Sequence, residues 1–132
     1  MHQLNADASP GFPYVACLLP AGGKVAKNSD IMSNLALRAK VVDAVIERVE
    51  LLSNRQVYGK TAVELVEGGY VDPVRIFVKQ EPHNIEKIKA GRFRLISSVS
   101  IVDQLVERLL FSLQNKTEIE VWEDIPSKPG IG

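Results

Sequence analysis

One cysteine, Cys17, is all that the 132 residues contain, so no internal disulfide and no cysteine-rich zinc site can form. Histidine is nearly as scarce: His2 and His83 stand far apart and make no ligand spacing with Cys17. No apolar run approaches the roughly 18 residues that a membrane-spanning helix needs. Met1 to Pro13 is polar and broken by proline, unlike a secretory leader, so an intracellular protein is expected. Neither charge is in excess, since 16 basic side chains meet 16 acidic ones. Over the whole chain, that balance speaks against a free-standing nucleic-acid binder. What is present is globular in composition, with 45% hydrophobic and 24% charged residues. The length suits one domain or part of a larger one.

Residues 1–30 read as loop, punctuated by Pro10, Gly11, Pro13, Pro20, Gly22 and Gly23. Residues 31–70 read as helical. Asp30 is a candidate N-cap, and Leu35, Val42, Val45, Ile46, Val49 and Leu52 form a stripe opposite Lys40, Asp43, Glu47 and Glu50. Thr61 and Glu64 spell a capping box for a short helix that ends at Gly68-Gly69. In residues 71–100, Val74 to Val78 and Phe93 to Ser97 have strand composition, with a polar loop between them. They predict a long basic hairpin or two finger-like arms. Residues 101–132 read as helical again. Ser100 and Asp103 mark an N-cap, Val102, Leu105, Val106, Leu109, Leu110 and Leu113 form a stripe to about Gln114, and Thr117 with Glu120 caps one more short helix. The order predicts an α+β fold and not a doubly wound sheet.

Two apparent motifs fail on spacing. Gly59-Lys60-Thr61 looks like the end of a P-loop, but Asn54 stands where its first glycine belongs. Gly22-Gly23-Lys24 lacks the hydroxyl residue as well. Charge segregation is more informative. From Arg75 to Arg94, six basic residues meet only Glu81 and Glu86, a local charge of +4. From Ser100 to Asp124, Arg108 and Lys116 meet six carboxylates, a local charge of −4. Neutrality is therefore a cancellation between neighbouring segments. The basic one is either a solvated hairpin or an anion site. Lys79, Arg92 and Arg94 fall at the ends of the two strand candidates, and residues two apart share a strand face. Such a cluster suits a triphosphate or an RNA backbone. The loops Asp7 to Tyr14 and Pro126 to Gly132 are either rigid turns or preorganised phosphate grips.

Ala8-Ser9-Pro10-Gly11-Phe12-Pro13-Tyr14, then Asp72-Pro73-Val74-Arg75-Ile76-Phe77-Val78-Lys79-Gln80-Glu81-Pro82-His83, then Gly91-Arg92-Phe93-Arg94-Leu95-Ile96, then Val102 to Phe111 and Ile125 to Gly132 occur in this order. Together they resemble the RNA-dependent RNA polymerases of positive-strand RNA viruses of the sobemovirus, polerovirus and barnavirus kind. The likeness covers most of the chain and is weakest between Pro20 and Gly69.

The resemblance implies a partial fingers subdomain of a right-hand polymerase. Lys79, Lys87, Arg92 and Arg94 match the basic residues of the fingers motif F, which roofs the nucleotide channel. By that likeness Arg94 and Lys79 hold the incoming triphosphate, Lys87 and Arg92 line the channel, and Glu81 supports the basic residues. Ser9, Pro10 and Gly11 match motif G, which guides template RNA, and Ser127 and Lys128 are assigned to template by the same likeness. His83 departs from relatives outside this virus group, which carry a basic side chain there. The family uses two divalent metals, Mg2+ or Mn2+, held by palm aspartates. No Gly-Asp-Asp occurs here, and Asp7, Asp30, Asp43, Asp72, Asp103 and Asp124 match none of the metal-ligand motifs. The expectation is an N-terminal fingers fragment, inactive alone, whose partners are template RNA, nucleoside triphosphates and the palm and thumb of the same polymerase. Its expected place is a replication complex in the cytoplasm of the infected cell. The alternative is a non-catalytic RNA- or protein-binding module.

Overall fold

The computed structural model describes residues 4–17, 26–54 and 57–126. Among them the elements run α1 Tyr14–Cys17, α2 Asn28–Ser33, α3 Leu35–Ser53, α4 Ala62–Glu67, β1 Arg75–Val78, α5 Ile85–Lys89, β2 Leu95–Ser98 and α6 Ile101–Glu120. The chain is α+β, with helices and one two-stranded antiparallel sheet. Ser127, Lys128 and the glycine-rich stretch at Gly22 and Gly23 lie outside the described residues. No helix among the described residues is long and apolar enough to cross a membrane.

The first long helix is divided where the periodicity predicted continuity. Asn34 has extended backbone, and its side-chain oxygen accepts from the N–H groups of Ala36 and Leu37 at 3.0 and 3.1 Å. An Asn that satisfies two orphan donors restarts the helix at its own position. Asp30 is therefore not the cap of the long helix. It lies inside α2, where its carboxylate accepts from the Lys27 N–H at 2.8 Å. The opposite correction applies to α6, which is one helix of 20 residues. Ser100 caps it as predicted, its hydroxyl accepting from the Asp103 N–H at 3.1 Å. Thr117 caps nothing: its hydroxyl donates back to the Leu113 carbonyl at 3.1 Å. With no proline or glycine from Gln114 to Glu120, nothing interrupts the helical ladder.

α3 packs against α6, and α2 against α3. The core consists of Leu4, Ile31, Val41, Ile101, Val102 and Val106, with Tyr14, Leu37, Ala44, Val45, Val49 and Leu105 packed against it. The buried stripe of α3 thus runs through Val41, Val45 and Val49, while Leu35, Val42, Ile46 and Leu52 remain exposed. On α6 only the first turns are covered, and Leu109, Leu110 and Leu113 are exposed.

The Pro/Gly segment is stitched to this body by its backbone. Asn28 N–H donates to the Ala8 carbonyl at 2.9 Å, and Ile101 N–H to the Pro10 carbonyl at 2.8 Å. Gly11 sits at φ +70° with its α-carbon pressed on the chain between β2 and α6. A Cβ there would lie 2.4 Å from the Val99 carbonyl oxygen, so both backbone angle and space demand glycine.

α4 carries the predicted capping box. Thr61 N–H donates to the Glu64 carboxylate at 2.7 Å, and Glu64 N–H returns to the Thr61 hydroxyl at 3.3 Å. Beyond it, β1 and β2 pair in the register Arg75 with Ser98, Ile76 with Ser97, Phe77 with Ile96 and Val78 with Leu95. The two strand candidates form one hairpin. The connection, predicted as plain loop, contains α5. Asn84 caps that helix by accepting from the Lys87 N–H at 2.9 Å. Lys87 and Lys89 occupy its last turn, where cations suit the helix dipole.

Candidate functional site

The hairpin ladder extends one step past β1 and β2, with Lys79 N–H donating to the Arg94 carbonyl at 2.9 Å. That bond holds Lys79 and Arg94 side by side at the end of the sheet far from the helical body. Glu81 lies between their side chains. Its carboxylate accepts from Arg94 Nε at 2.8 Å and Nη2 at 2.6 Å, and from Lys79 Nζ at 2.8 Å. Two parallel N–H···O bonds from one guanidinium are the fork geometry that also fits phosphate oxygens. Arg94, and then Lys79, holds the Glu81 carboxyl down at about 2, well below the usual carboxylate range. The group of three carries a net positive charge, and the Arg94 and Lys79 side chains are 68% and 42% exposed. Their cationic groups thus stay accessible from solvent while paired.

Beside this cluster is an open concavity of about 590 Å³ lined by Glu81, His83, Lys87, Arg92, Phe93 and Arg94, with Gly91 at its edge. His83 meets the Phe93 ring edge-on at 5.3 Å. Its Nε2 is buried and has no hydrogen-bond partner among the described residues. The structure therefore brings together Lys79, Glu81 and Arg94 by direct pairing, and Lys87, Arg92 and Arg94 around one cavity. Arg92 and Arg94 precede β2 and are not strand residues. A second concavity of about 700 Å³ follows the outer face of α6, where Glu107 and Glu120 mix with Lys116. Charges of both signs give it no preference for an anion.

Ser9, Pro10 and Gly11 lie elsewhere, at the root of the hairpin. Pro10 and Gly11 are buried, and Ser9 is half-buried with its hydroxyl accepting from the Gly11 N–H at 3.3 Å. Phe12 follows them and is exposed. As for metals, no three of His, Cys, Asp and Glu come together among the described residues in a way that could hold an ion. Those residues do not fit the divalent ions that the resemblance implies.

One cluster was not anticipated. Arg48 lies in the buried stripe of α3 and reaches Asp72 and Asp103. Its Nη2 donates to Asp72 Oδ1 at 3.1 Å and its Nη1 to Asp103 Oδ1. Tyr14 stands close by, its hydroxyl pushed up to about 12 by burial and then by the charge of Asp72. The only sequence signal for Arg48 is its helical spacing from Val41 and Val45.

Comparison with known proteins covers the whole chain. The family model described as viral RNA-directed RNA polymerase matches residues 1–132. A replicase polyprotein of Southern cowpea mosaic virus is 48% identical over 98% of this chain and 13% of its own length. Protein P1-P2 of Turnip yellows virus is 62% identical over 98% of this chain and 12% of its own. The RNA-directed RNA polymerase of Mushroom bacilliform virus is 38% identical over 99% of this chain and 30% of its own. The chain thus spans only about an eighth of the length of the first two of these relatives. No solved structure matches it. With the family model matching from end to end, the chain belongs to the viral RNA-directed RNA polymerase family.

Proposed function

We propose that this chain is the nucleotide- and template-contacting part of the fingers in a polymerase that copies a positive-strand viral RNA genome. The observation that carries the reading is the Lys79–Glu81–Arg94 cluster at the end of the hairpin, beside the cavity lined by Lys87 and Arg92. Nucleotidyl transfer needs little covalent help from the protein and much fixed positive charge around the phosphates. Arg94 and Lys79 grip the triphosphate by exchanging the Glu81 carboxylate for phosphate oxygens, and Glu81 keeps both cations aligned until then. Lys87 and Arg92 draw the nucleotide along the cavity.

Ser9, Pro10 and Gly11 shape the template path on this reading, and Ser127 and Lys128 are assigned to template RNA by the same likeness. Because Pro10 and Gly11 are buried, Ser9 and Phe12 are the side chains this loop offers to RNA. The carboxylates for Mg2+ or Mn2+ belong to the palm of the parent enzyme, so the chain alone is inactive. The parent works in a cytoplasmic replication complex.

The test is template-dependent incorporation by the full-length polymerase. Arg94→Ala should raise the nucleotide KM by about tenfold or more, as loss of a charge-assisted bidentate contact does. Unchanged incorporation with an unchanged KM would remove the role given to Arg94.

A further inference from the structure

Arg48 is 7% exposed in a stripe otherwise made of apolar residues. A guanidinium does not give up its proton, so burying it requires partners that balance its charge. The two it finds are not on its own helix. Asp72 lies in the segment that enters β1, three residues before the ladder begins at Arg75. Asp103 lies in the first turn of α6, just after β2 leaves the ladder at Ser98. The second oxygen of Asp103 accepts from the Asp72 N–H at 2.9 Å, which closes a ring through all three residues. Both stems of the basic hairpin are thus tied to one side chain of α3.

We infer that Arg48 is a positioning residue for nucleotide binding: by clasping Asp72 and Asp103 it sets the direction in which the hairpin projects and so the place of Lys79 and Arg94. The inference rests on the nucleotide reading of the arm given above. Lys79 is seven residues beyond Asp72, a reach of roughly 20 Å in extended chain. A tilt of about 5° at the clasp moves the far end by roughly 2 Å at that reach, and about 1 Å of misplacement can cost a reaction as much as a hundredfold. The pairing geometry matters here more than the charge, because the rigid guanidinium holds Nη1 and Nη2 at a fixed spacing, one to each carboxylate.

Arg48→Lys keeps the charge and loses the fork, so it separates the two. In the full-length polymerase it should raise the nucleotide KM by about tenfold while leaving the affinity for template RNA unchanged. Asp72→Asn, which keeps the shape and weakens one arm of the clasp, should act in the same direction with a smaller effect. The combination Arg48→Lys with Arg94→Ala should be little worse than Arg94→Ala alone, because a misplaced arm that no longer grips has little left to lose. An unchanged KM in both Arg48→Lys and Asp72→Asn, alongside a raised KM in Arg94→Ala, overturns the clasp but leaves the arm its role. Independent, multiplying effects in the double variant also overturn it, as does a lowered melting temperature with a normal KM in the folded enzyme. An unchanged KM in Arg94→Ala itself removes the nucleotide reading first, and the clasp inference with it.

Discussion

In the helical body, Ile31, Ile101 and Val102 are fully buried and so nearly is the clasped Arg48, whereas no residue from Pro73 to Val99 is buried. The two regions are continuous in sequence and differ in what holds them. The body is stabilised by apolar burial and by capped helices, and its shielded charged cluster is costly to break because a lost partner leaves a buried charge unpaired. The hairpin relies on a four-residue ladder, the Asn84 cap and ion pairs in contact with solvent, each of small worth to folding. That weakness suits the role proposed for it. Pairs that contribute little to stability can be exchanged for a ligand at little cost, while a buried triad cannot. A rigid base carrying an exchangeable arm is what a site needs when its ligand must arrive and leave at every step of synthesis.

The sharpest way to break this contrast is a pair of matched truncations. Ile101→Ala, in the body, should cost about 4 kcal/mol, as expected for emptying a fully buried aliphatic position. Ile76→Ala, on the exposed hairpin, should cost less than about 0.5 kcal/mol. Denaturant unfolding of the polymerase measures both, and comparable losses would mean that the arm is built like the body. Gly11→Ala comes next, at roughly 3 kcal/mol, since it adds left-handed strain to an overlap with the Val99 backbone. A neutral Gly11→Ala would show that the Pro/Gly loop is not pinned to the root of the hairpin. Thr61→Ala should remove about 1 kcal/mol by opening the capping box of α4. Amide exchange confined to α4 and its flanks would locate that loss.

How far the sequence was legible follows the same division. Features written within a few neighbouring residues could be read directly: the Thr61–Glu64 box, the Ser100 cap, both strands of the hairpin and the basic excess between Arg75 and Arg94. Asn34 and Asn84 were written locally too, but their neighbours hid them. Leu35 continues the apolar period across Asn34, and Pro82, Gly91 and the polar residues around Asn84 read as loop. Thr117 misled in the other direction, because a Thr-x-x-Glu pattern caps a helix only where the chain is free to begin one. The clasp of Arg48 was not legible, since its helical spacing from Val41 and Val45 names no partner. Its partners lie 24 and 55 residues away, and a lone arginine on a helix ordinarily faces solvent. Nothing short of the packed structure brings those three side chains together. The Lys79–Glu81–Arg94 cluster stands between these cases. Lys79 and Arg94 stood out by charge and strand position and Glu81 came from the resemblance, but the pairing geometry of the Glu81 carboxylate needed coordinates.

The smallest expected effect concerns pH, and it tests that pairing geometry directly. Glu81 is held at about 2 in the folded chain by Arg94 and Lys79, whereas a free glutamate titrates near 4.3. A carboxyl whose folded value is depressed contributes its stabilisation above the unfolded value, and loses it as pH falls through the folded one. The Glu81 pairing should therefore be complete from neutral pH down to about 4, and should fade only as pH approaches 2. Tracking the side-chain carboxyl carbon of Glu81 by NMR should show almost no movement between pH 7 and pH 4. The same titration with Arg94→Ala should bring the midpoint up toward the ordinary glutamate range, because the larger of its two partners is gone. Should Glu81 titrate near 4.3 with Arg94 intact, the fork would be open in solution. The arm would then meet a triphosphate with free cations, and the contrast with the clasped body would lie in packing alone.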